Sequence, residues 1–328
     1  MAKKTMKMSL AEFQEKEAPG LLQIFDFTSN LAASTYYDTT AVKIPETCYS
    51  SSKITNNHFL SEYYLLNRKR SALDLAISYG VSAYSSFSVR GSILARKFAE
   101  EEEEIHNNTV ALPPYMHLRM NLEVAIRSRR SKREMTDAAM TDSELSTIAF
   151  FGDGVTGELK LASKETDAVP ESLLGDELNT TLRAAPAGGG LYPVTLYFMI
   201  RNVKNIEDGL YYYLPLTHSL RLVRKMDTAM EEELERVASW GNNIDQSKVN
   251  VMVFYVYNLY NNSRKYLDMA YDFALIEAGQ ISENIYLTCT ALNIPSCDIG
   301  GFQKLACDNF LGLDGVTETV INVTIIGK

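Results

Sequence analysis

The sequence predicts an α+β fold, with a mixed β-sheet flanked by helices and an additional, mostly helical N-terminal region. Three apolar segments rich in β-branched residues indicate buried strands at Val194–Ile200, Val249–Val256 and Val320–Ile326. A long and mostly apolar helix is predicted over Leu267–Leu292, which suggests a central position. Helices and strands mix without regular βαβ alternation, and this order is typical of the α+β class.

Residues 1–115 are predicted to form an N-terminal extension, and residues 116–328 a catalytic domain. The extension differs in composition, with Ser-, Thr- and Asn-rich stretches, and Pro113-Pro114 marks a break near its end. Its acidic run Glu100–Glu104 is most simply a solvated helix face or a linker. Helical patterns in this region lie at Leu10–Glu17, Leu60–Arg68 and Ile93–Glu104.

From Met116 onward the boundaries of the predicted elements are clearer. Thr141–Glu144 has the form of a capping box, and Gly152 is expected to end the helix that follows. The other predicted elements are a helix at Leu118–Arg130, with Leu118, Leu122, Ala125 and Ile126 on one face, a hairpin of Leu210–Tyr213 and Leu220–Val223 around Pro215, and a helix at about Thr228–Trp240.

Composition and charge exclude several classes of protein. The net charge of -9 and the pI near 5.1 argue against nucleic-acid binding, because such proteins must neutralise phosphates. No run of eighteen apolar residues is present, so we expect no transmembrane helix, and no apolar segment typical of a secretory signal follows Met1–Lys4. Four scattered cysteines and four histidines do not suggest a metal site, and reduced thiols in a cytoplasmic protein are expected.

A basic segment at the end of the Leu118–Arg130 helix is a candidate phosphate site. Arg129, Arg130, Ser131 and Arg133, with Lys132 between them, bring cationic donors and a hydroxyl together within five residues. Guanidinium groups bind phosphate through bidentate, charge-assisted hydrogen bonds. The alternative is a solvated basic helix end, which the helix dipole stabilises.

A glycine-rich loop at 183–193 is a candidate site for a planar, polar ligand. Its core, Pro186-Ala187-Gly188-Gly189-Gly190, lacks large side chains and permits unusual backbone angles. Backbone amides could therefore approach a ligand closely. The spacing differs from the dinucleotide-binding fingerprint, and a strand follows the loop where that fingerprint has a helix. A flexible connection into the strand is the alternative.

Two further segments flank the long predicted helix. Lys265-Tyr266, just before it, could form an acid–base pair, and the helix start and Arg264 would lower the pKa of the lysine. A snorkelling surface lysine beside a packed tyrosine is the alternative. Gly300-Gly301, after the helix, again allows close backbone approach to a ligand, or forms an ordinary turn.

These segments, in this order, resemble the nitroreductase superfamily, and within it the SagB/McbC-type azoline dehydrogenases. The resemblance covers about residues 120–328 and excludes the N-terminal extension. It rests on RRSKR, on RAAPAGGGLYPVTLY, on RKYLDMAYDFALIEAGQISENIYLTCTALNI, and on CDIGGF with the C-terminal FLGLDGVTETVINVTIIGK. Two positions depart from the family pattern: Ala187 replaces a serine, and Leu267 stands where the family has glycine after the Lys-Tyr pair.

The resemblance implies a nitroreductase-like fold and FMN bound at the interface of a homodimer. Arg129, Arg130, Ser131 and Arg133 would then hold the ribityl phosphate and the pyrimidine edge. Pro186, Ala187, Gly188 and Gly189 would line the flavin ring from the partner chain. Gly300 and Gly301 would lie near flavin N5, and Lys328 would be a further phosphate ligand. Lys265 and Tyr266 match the catalytic pair of the subfamily.

The activity that the resemblance implies is the oxidation of thiazoline and oxazoline rings to thiazoles and oxazoles. The substrate would be a ribosomally made, post-translationally modified precursor peptide of the bacteriocin or toxin type, and the partner a cyclodehydratase that forms the rings. Two other functions stay open from the sequence, because fold does not fix function. One is an NAD(P)H-dependent nitro- or quinone reductase, and the other is a non-catalytic scaffold of a peptide-modifying complex.

Overall fold

The computed structural model of the 328-residue chain describes residues 109–160, 179–238 and 244–328, together with Tyr64. The chain divides into two compact units, Met1–Asp74 and Leu75–Lys328. Tyr64, which is helical and exposed, belongs to the first unit, and every other described residue belongs to the second.

Most of the predicted N-terminal extension lies outside the described residues. This applies to the helices predicted at Leu10–Glu17 and Ile93–Glu104, and to all of Leu60–Arg68 except Tyr64. The domain boundary near residue 115 therefore stays a prediction.

A seven-stranded sheet forms the centre of the described structure, in the order β1-β6-β5-β4-β7-β9-β8. Its strands are β1 (Thr109–Ala111), β4 (Val194–Ile200), β5 (Gly209–Leu214), β6 (Ser219–Lys225), β7 (Val251–Asn258), β8 (Ser296–Asp298) and β9 (Glu318–Ile326). Every pairing among these described strands is antiparallel. A separate antiparallel pair is formed by β2 (Val155–Lys160) and β3 (Asn179–Arg183). The predicted strands and the predicted hairpin around Pro215 are confirmed.

Helices cover both faces of the sheet, which confirms the predicted fold class. They are α1 (Leu122–Ser128), α2 (Asp142–Asp153), α3 (Thr228–Leu234), α4 (Leu259–Tyr266), α5 (Ala270–Ala291) and α6 (Lys304–Leu311). Along the inner strand β7, Val253 and Tyr255 belong to the core that includes α2 and α5. The alternate residues Phe254 and Val256 belong to the core that includes α3 and α6. Because successive side chains point to opposite faces, a strand covered on both faces is apolar throughout.

Helix α2 ends one residue later than its sequence predicts. Its capping box is confirmed, since Thr141 Oγ1 accepts the Glu144 N–H at 3.2 Å and Glu144 Oε2 accepts the Thr141 N–H at 2.9 Å. Gly152, however, does not end the helix, which continues to Asp153. A Cβ at Gly152 would lie 3.0 Å from Ile285 Cγ1. The glycine therefore permits close packing of α2 against α5.

The other predicted helices are shorter in the structure. The helix expected at Leu118–Arg130 spans only Leu122–Ser128, and the one expected at Thr228–Trp240 ends at Leu234. The expected packed face of α1 is only partly confirmed, because Ala125 is buried but Leu122 and Ile126 are 66% and 55% exposed. The long helix begins at Ala270 after a short 3₁₀ turn, in which Leu267 has a positive φ of 48° that no α-helix contains.

Within residues 109–160, 179–238 and 244–328, no helix is long and apolar enough to cross a membrane. The same ranges contain no group of three or more His, Cys, Asp or Glu residues placed to hold a metal ion. Three cysteines, Cys289, Cys297 and Cys307, are buried free thiols.

Candidate functional site

The glycine-rich loop adopts the unusual backbone that its sequence predicts. Gly188–Gly190 form a 3₁₀ turn, and Gly189 and Gly190 have φ values of 65° and 66°. Left-handed backbone of this kind is open to glycine at little cost and strains most other residues. Pro186 just before the turn is exposed, so the loop presents its backbone at the surface of the described unit.

The loop lies against the predicted catalytic pair of the same chain. A Cβ at Gly189 would overlap Lys265 Nζ and would lie 2.8 Å from Tyr266 Oη. A Cβ at Gly188 would lie 3.4 Å from Tyr266 Cε2. The polar ends of Lys265 and Tyr266 therefore occupy the space that a larger loop residue would fill. The structure thus brings two of the four predicted segments together.

Tyr266 is held in its place by aromatic packing. Its ring meets the ring of Phe273 edge-on with 4.6 Å between the centroids, and Lys265 Nζ lies 5.1 Å from the Tyr266 centroid. Burial raises the pKa of Tyr266 above its usual value of 10.0. The tyrosine is consequently a neutral hydrogen-bond donor at physiological pH. Phe273 was not singled out from the sequence.

The helical context expected for Lys265 is wrong. Lys265 and Tyr266 do not stand at the start of the long helix but close a separate helix, α4, which begins at Leu259. The end of a helix carries the negative pole of its dipole, which favours cations. The prediction that a positive helix terminus lowers the pKa of Lys265 is therefore wrong.

Buried charges fix both ends of the loop. At its start, Arg183 Nη1 pairs with Asp153 Oδ2 at 2.8 Å, and both side chains are at most 2% exposed. The Arg183 N–H donates to Tyr192 Oη at 3.0 Å, and the guanidinium stacks over that ring. At its end, Glu277 Oε1 of α5 accepts the Val194 N–H at 3.2 Å. Sequence reasoning missed Asp153 and Glu277, although a carboxylate within an apolar helix was a visible signal.

The basic segment follows α1 and is attached to the opposite end of α5. Arg129 is half-buried, whereas Arg130, Ser131 and Arg133 are exposed. Arg130 Nη1 donates to the carbonyl oxygens of Arg127 at 3.1 Å and of Arg129 at 2.7 Å. The cationic side chains therefore form an open basic surface.

Tyr286 joins this segment to the loop after β8. The Arg129 guanidinium carbon lies 5.3 Å from the centroid of its ring, and Ser131 Oγ lies 3.4 Å from its hydroxyl. The same hydroxyl accepts the Asp298 N–H at 2.5 Å, two residues before the exposed Gly300. Tyr286 is only 7% exposed. Sequence reasoning missed it, because a tyrosine in an apolar helix gives no sign of its partners.

Within one chain, the four predicted segments thus form two groups. The glycine loop and Lys265-Tyr266 lie near Phe273, and the basic segment and Gly300-Gly301 lie near Tyr286. Phe273 and Tyr286 are thirteen residues apart in α5, which corresponds to about 20 Å at ~1.5 Å per residue. Within a single chain, the two groups are therefore associated with well-separated positions of α5.

Lys328 lies apart from both groups in its side-chain contacts. Its ammonium forms an ion pair with Glu144 Oε1, and its N–H donates to Asn250 Oδ1 at 3.0 Å. Burial alone would raise the pKa of Glu144, but hydrogen bonds from Lys328 and Thr141 outweigh burial and hold it below the usual 4.5. A role for Lys328 in phosphate binding stays a prediction.

Comparison with known proteins identifies the family to which the chain belongs. The family model described as "Nitroreductase family" matches residues 126–328. A nitroreductase-type protein of Methanocaldococcus jannaschii is 28% identical over 183 residues, which are 56% of this chain and 80% of that protein.

Solved structures are also similar. A nitroreductase-type protein of Ralstonia eutropha JMP134 matches with a TM-score of 0.51 and 20% identity, over 68% of this chain and 90% of that chain. The Escherichia coli microcin synthetase McbBCD complex, with truncated pro-MccB17 bound, contains a chain that matches with a TM-score of 0.47 and 18% identity, over 98% of both chains. At 20% identity, the first likeness extends to the fold alone.

Proposed function

Because the chain belongs to the nitroreductase family of oxidoreductases, we propose that it is an FMN-dependent azoline dehydrogenase. It would oxidise thiazoline and oxazoline rings of a precursor peptide to thiazoles and oxazoles. The observation that carries the proposal is the position of Lys265 Nζ and Tyr266 Oη against the glycine loop. This is where the motif resemblance puts an acid–base pair beside a flavin.

The described residues fit FMN, which proteins of this family generally bind. The open basic surface offers several guanidinium donors, and guanidinium groups bind phosphate through bidentate hydrogen bonds. The glycine loop exposes backbone to a flat ring system. In this proposal Arg129, Arg130, Ser131 and Arg133 hold the phosphate end, Pro186, Ala187, Gly188 and Gly189 line the ring, and Gly300 and Gly301 lie near its N5 atom.

A homodimer is part of the proposal, since the two groups of site residues lie about 20 Å apart in one chain. A second copy would supply the glycine loop to the FMN that the basic segment holds. The exposed apolar side chains of Leu122 and Ile126 on α1 support this assembly, because such surface is typical of an interface. Beside them, an open cavity of about 360 Å³ is lined by α1 and by Leu287 of α5. Light scattering of the active protein should give the mass of a dimer.

The chemistry requires a hydride and a proton to leave neighbouring atoms of the azoline ring. When bound, FMN supplies the hydride acceptor. Lys265 Nζ, in its neutral form, takes the proton from the ring carbon. Tyr266, which is neutral because burial raises its pKa, donates a hydrogen bond that orients the lysine or the ring nitrogen. The azoline would come from a cyclodehydratase that acts earlier on the same peptide.

Mass spectrometry of a cyclised precursor peptide tests the proposed reaction directly. The enzyme should remove two hydrogens from each ring. Lys265→Ala and Tyr266→Phe should keep bound FMN and lose turnover by about 10²–10⁴-fold, the usual contribution of a positioned acid or base. Tyr260→Phe is a matched control, since Tyr260 lies in the same helix and is 58% exposed.

Other outcomes would point to other functions. Rapid bleaching of the flavin by NADPH, with no change in the peptide mass, would favour a nitro- or quinone reductase. A protein that takes up no FMN on reconstitution would favour a scaffold of a peptide-modifying complex. Normal turnover by either variant would remove that residue from the mechanism.

A further inference from the structure

We infer that Tyr286 is a positioning residue, which couples the phosphate-binding end of the FMN site to the loop that carries Gly300 and Gly301. The inference rests on the proposed function, since it assigns both segments to one FMN. Tyr286 contacts both the basic segment and this loop, through its ring and its hydroxyl, at one point of α5. The backbone adds a direct link, since the Lys132 N–H donates to the Ser296 carbonyl oxygen at 3.0 Å.

The ring of Tyr286 sets the direction of Arg129. A guanidinium 5.3 Å from a ring centroid is within the range of a cation–π contact. Arg130 beside it donates to backbone carbonyls of its own segment, and Arg129 is the half-buried arginine of the cluster. Arg129 is therefore the cation whose direction a neighbouring side chain determines, and its phosphate contact depends on Tyr286.

The hydroxyl of Tyr286 sets the position of the loop. It accepts the Asp298 N–H at 2.5 Å, while the Asp298 carboxylate accepts a hydrogen bond from Ser282 Oγ of α5 at 2.8 Å and another from Thr324 Oγ1 of β9. Asp298 is therefore fixed from α5 and from β9 just before Gly300. Burial raises the pKa of Tyr286, so the hydroxyl keeps its proton and can donate it to Ser131 Oγ, 3.4 Å away.

Two variants separate these contributions. The contact with the FMN phosphate is measured by the dissociation constant of riboflavin, which lacks the phosphate, divided by that of FMN. Tyr286→Phe keeps the ring and removes the hydroxyl, so this ratio should stay within about twofold of the wild-type value. The absorption bands of bound FMN should change, because the loop near N5 loses one of the hydrogen bonds that position it. Tyr286→Leu also removes the ring, and the ratio should fall by about 2- to 30-fold, the range of a cation–π contact. Fluorescence titration gives both constants, and the visible spectrum gives the bands.

Two comparisons show whether Tyr286 acts through Arg129. Arg129→Ala should lower the same ratio, and adding Tyr286→Leu to it should lower the ratio no further, because dependent contacts are not additive. Tyr212→Leu is the matched control. It removes a ring that lies 5.1 Å from the Arg221 guanidinium carbon, on β5 and away from the site, so the ratio should not change.

The inference is overturned if the wild type binds FMN and both Tyr286 variants keep its ratio and its spectrum; the proposed function would then stand. It is also overturned if the losses from Arg129→Ala and Tyr286→Leu simply add. If Tyr286→Leu fails to fold, Arg129→Lys replaces it, since lysine keeps the charge and loses the planar stacking. This variant should lower the ratio as well, and an unchanged ratio would refute the role of the ring. A wild type that takes up no FMN overturns both the proposed function and the inference.

Discussion

Replacing Gly189 by alanine should show whether the position of the proposed catalytic pair, Lys265 and Tyr266, controls turnover independently of the stability of the loop. The new Cβ would overlap Lys265 Nζ and would lie 2.8 Å from Tyr266 Oη. Ordinary contacts begin near ~3.5 Å, so the Tyr266 hydroxyl must retreat by about 0.7 Å and Lys265 Nζ by more. Because a displacement of about 1 Å can cost 10²-fold in rate, azole formation should fall by about that factor. Peptide mass spectrometry with a time course measures it.

Gly190→Ala is the control for this prediction. Gly190 has nearly the same φ, 66° against 65°, but a Cβ there would have no neighbour within 4 Å. Both variants place alanine in left-handed backbone at a cost of about 1–2 kcal/mol, so their melting temperatures should fall alike. Only Gly189→Ala should lose most of its turnover. Equal turnover in the two variants would refute the placement of Lys265 and Tyr266 at the reacting atoms.

Two further predictions concern buried or partly buried charges. Arg183→Met leaves Asp153 without its buried partner and should lower the free energy of unfolding by about 3–5 kcal/mol. The double variant with Asp153→Leu should recover much of this loss, and urea titration measures both. Glu144 has a pKa lowered in the folded state, so its pair with Lys328 stabilises the fold above the unfolded pKa near 4.5 and is lost as pH falls through the folded pKa. In Glu144→Gln, the free energy of unfolding should accordingly fall less between neutral and acid pH than it does in the wild type. An unchanged pH profile would contradict this.

The strands and the order of elements could be predicted because burial leaves a direct trace in the sequence. Segments such as β7, covered on both faces, are apolar throughout, and their short length and β-branched and aromatic residues favour a strand over a buried helix. Helix ends were less predictable. Gly152 has the form of a helix stop, yet α2 continues to Asp153. The absence of a side chain at Gly152 instead allows close packing against Ile285 of α5. A tertiary contact of this kind leaves no local pattern.

The candidate site could be predicted only where its residues have distinctive chemistry. The glycines, the basic segment and the Lys-Tyr pair stand out locally, and the glycines with Lys265 and Tyr266 do lie together. The residues that hold these groups in place are harder to assign, because even a visible signal, such as a carboxylate within an apolar helix, does not name its partner. Glu277 and Tyr286 occupy an apolar helix, and their partners at Val194 and Asp298 come from other parts of the chain. Such pairings exist only after folding.

Helix α5 gives the two groups of site residues a common frame. Glu277 fixes the end of the glycine loop, and Tyr286 fixes the basic segment, so one helix sets their separation. Because α5 fixes the distance between the two groups, we expect side chains at the edge of the site to determine how the substrate fits. Leu267 is such a side chain, since it follows the proposed catalytic pair and is 41% exposed. Its φ is 48°, a backbone angle that costs about 1–3 kcal/mol in a residue other than glycine. In the proposed function, a leucine kept at that cost, where related motifs have glycine, would contact the bound peptide.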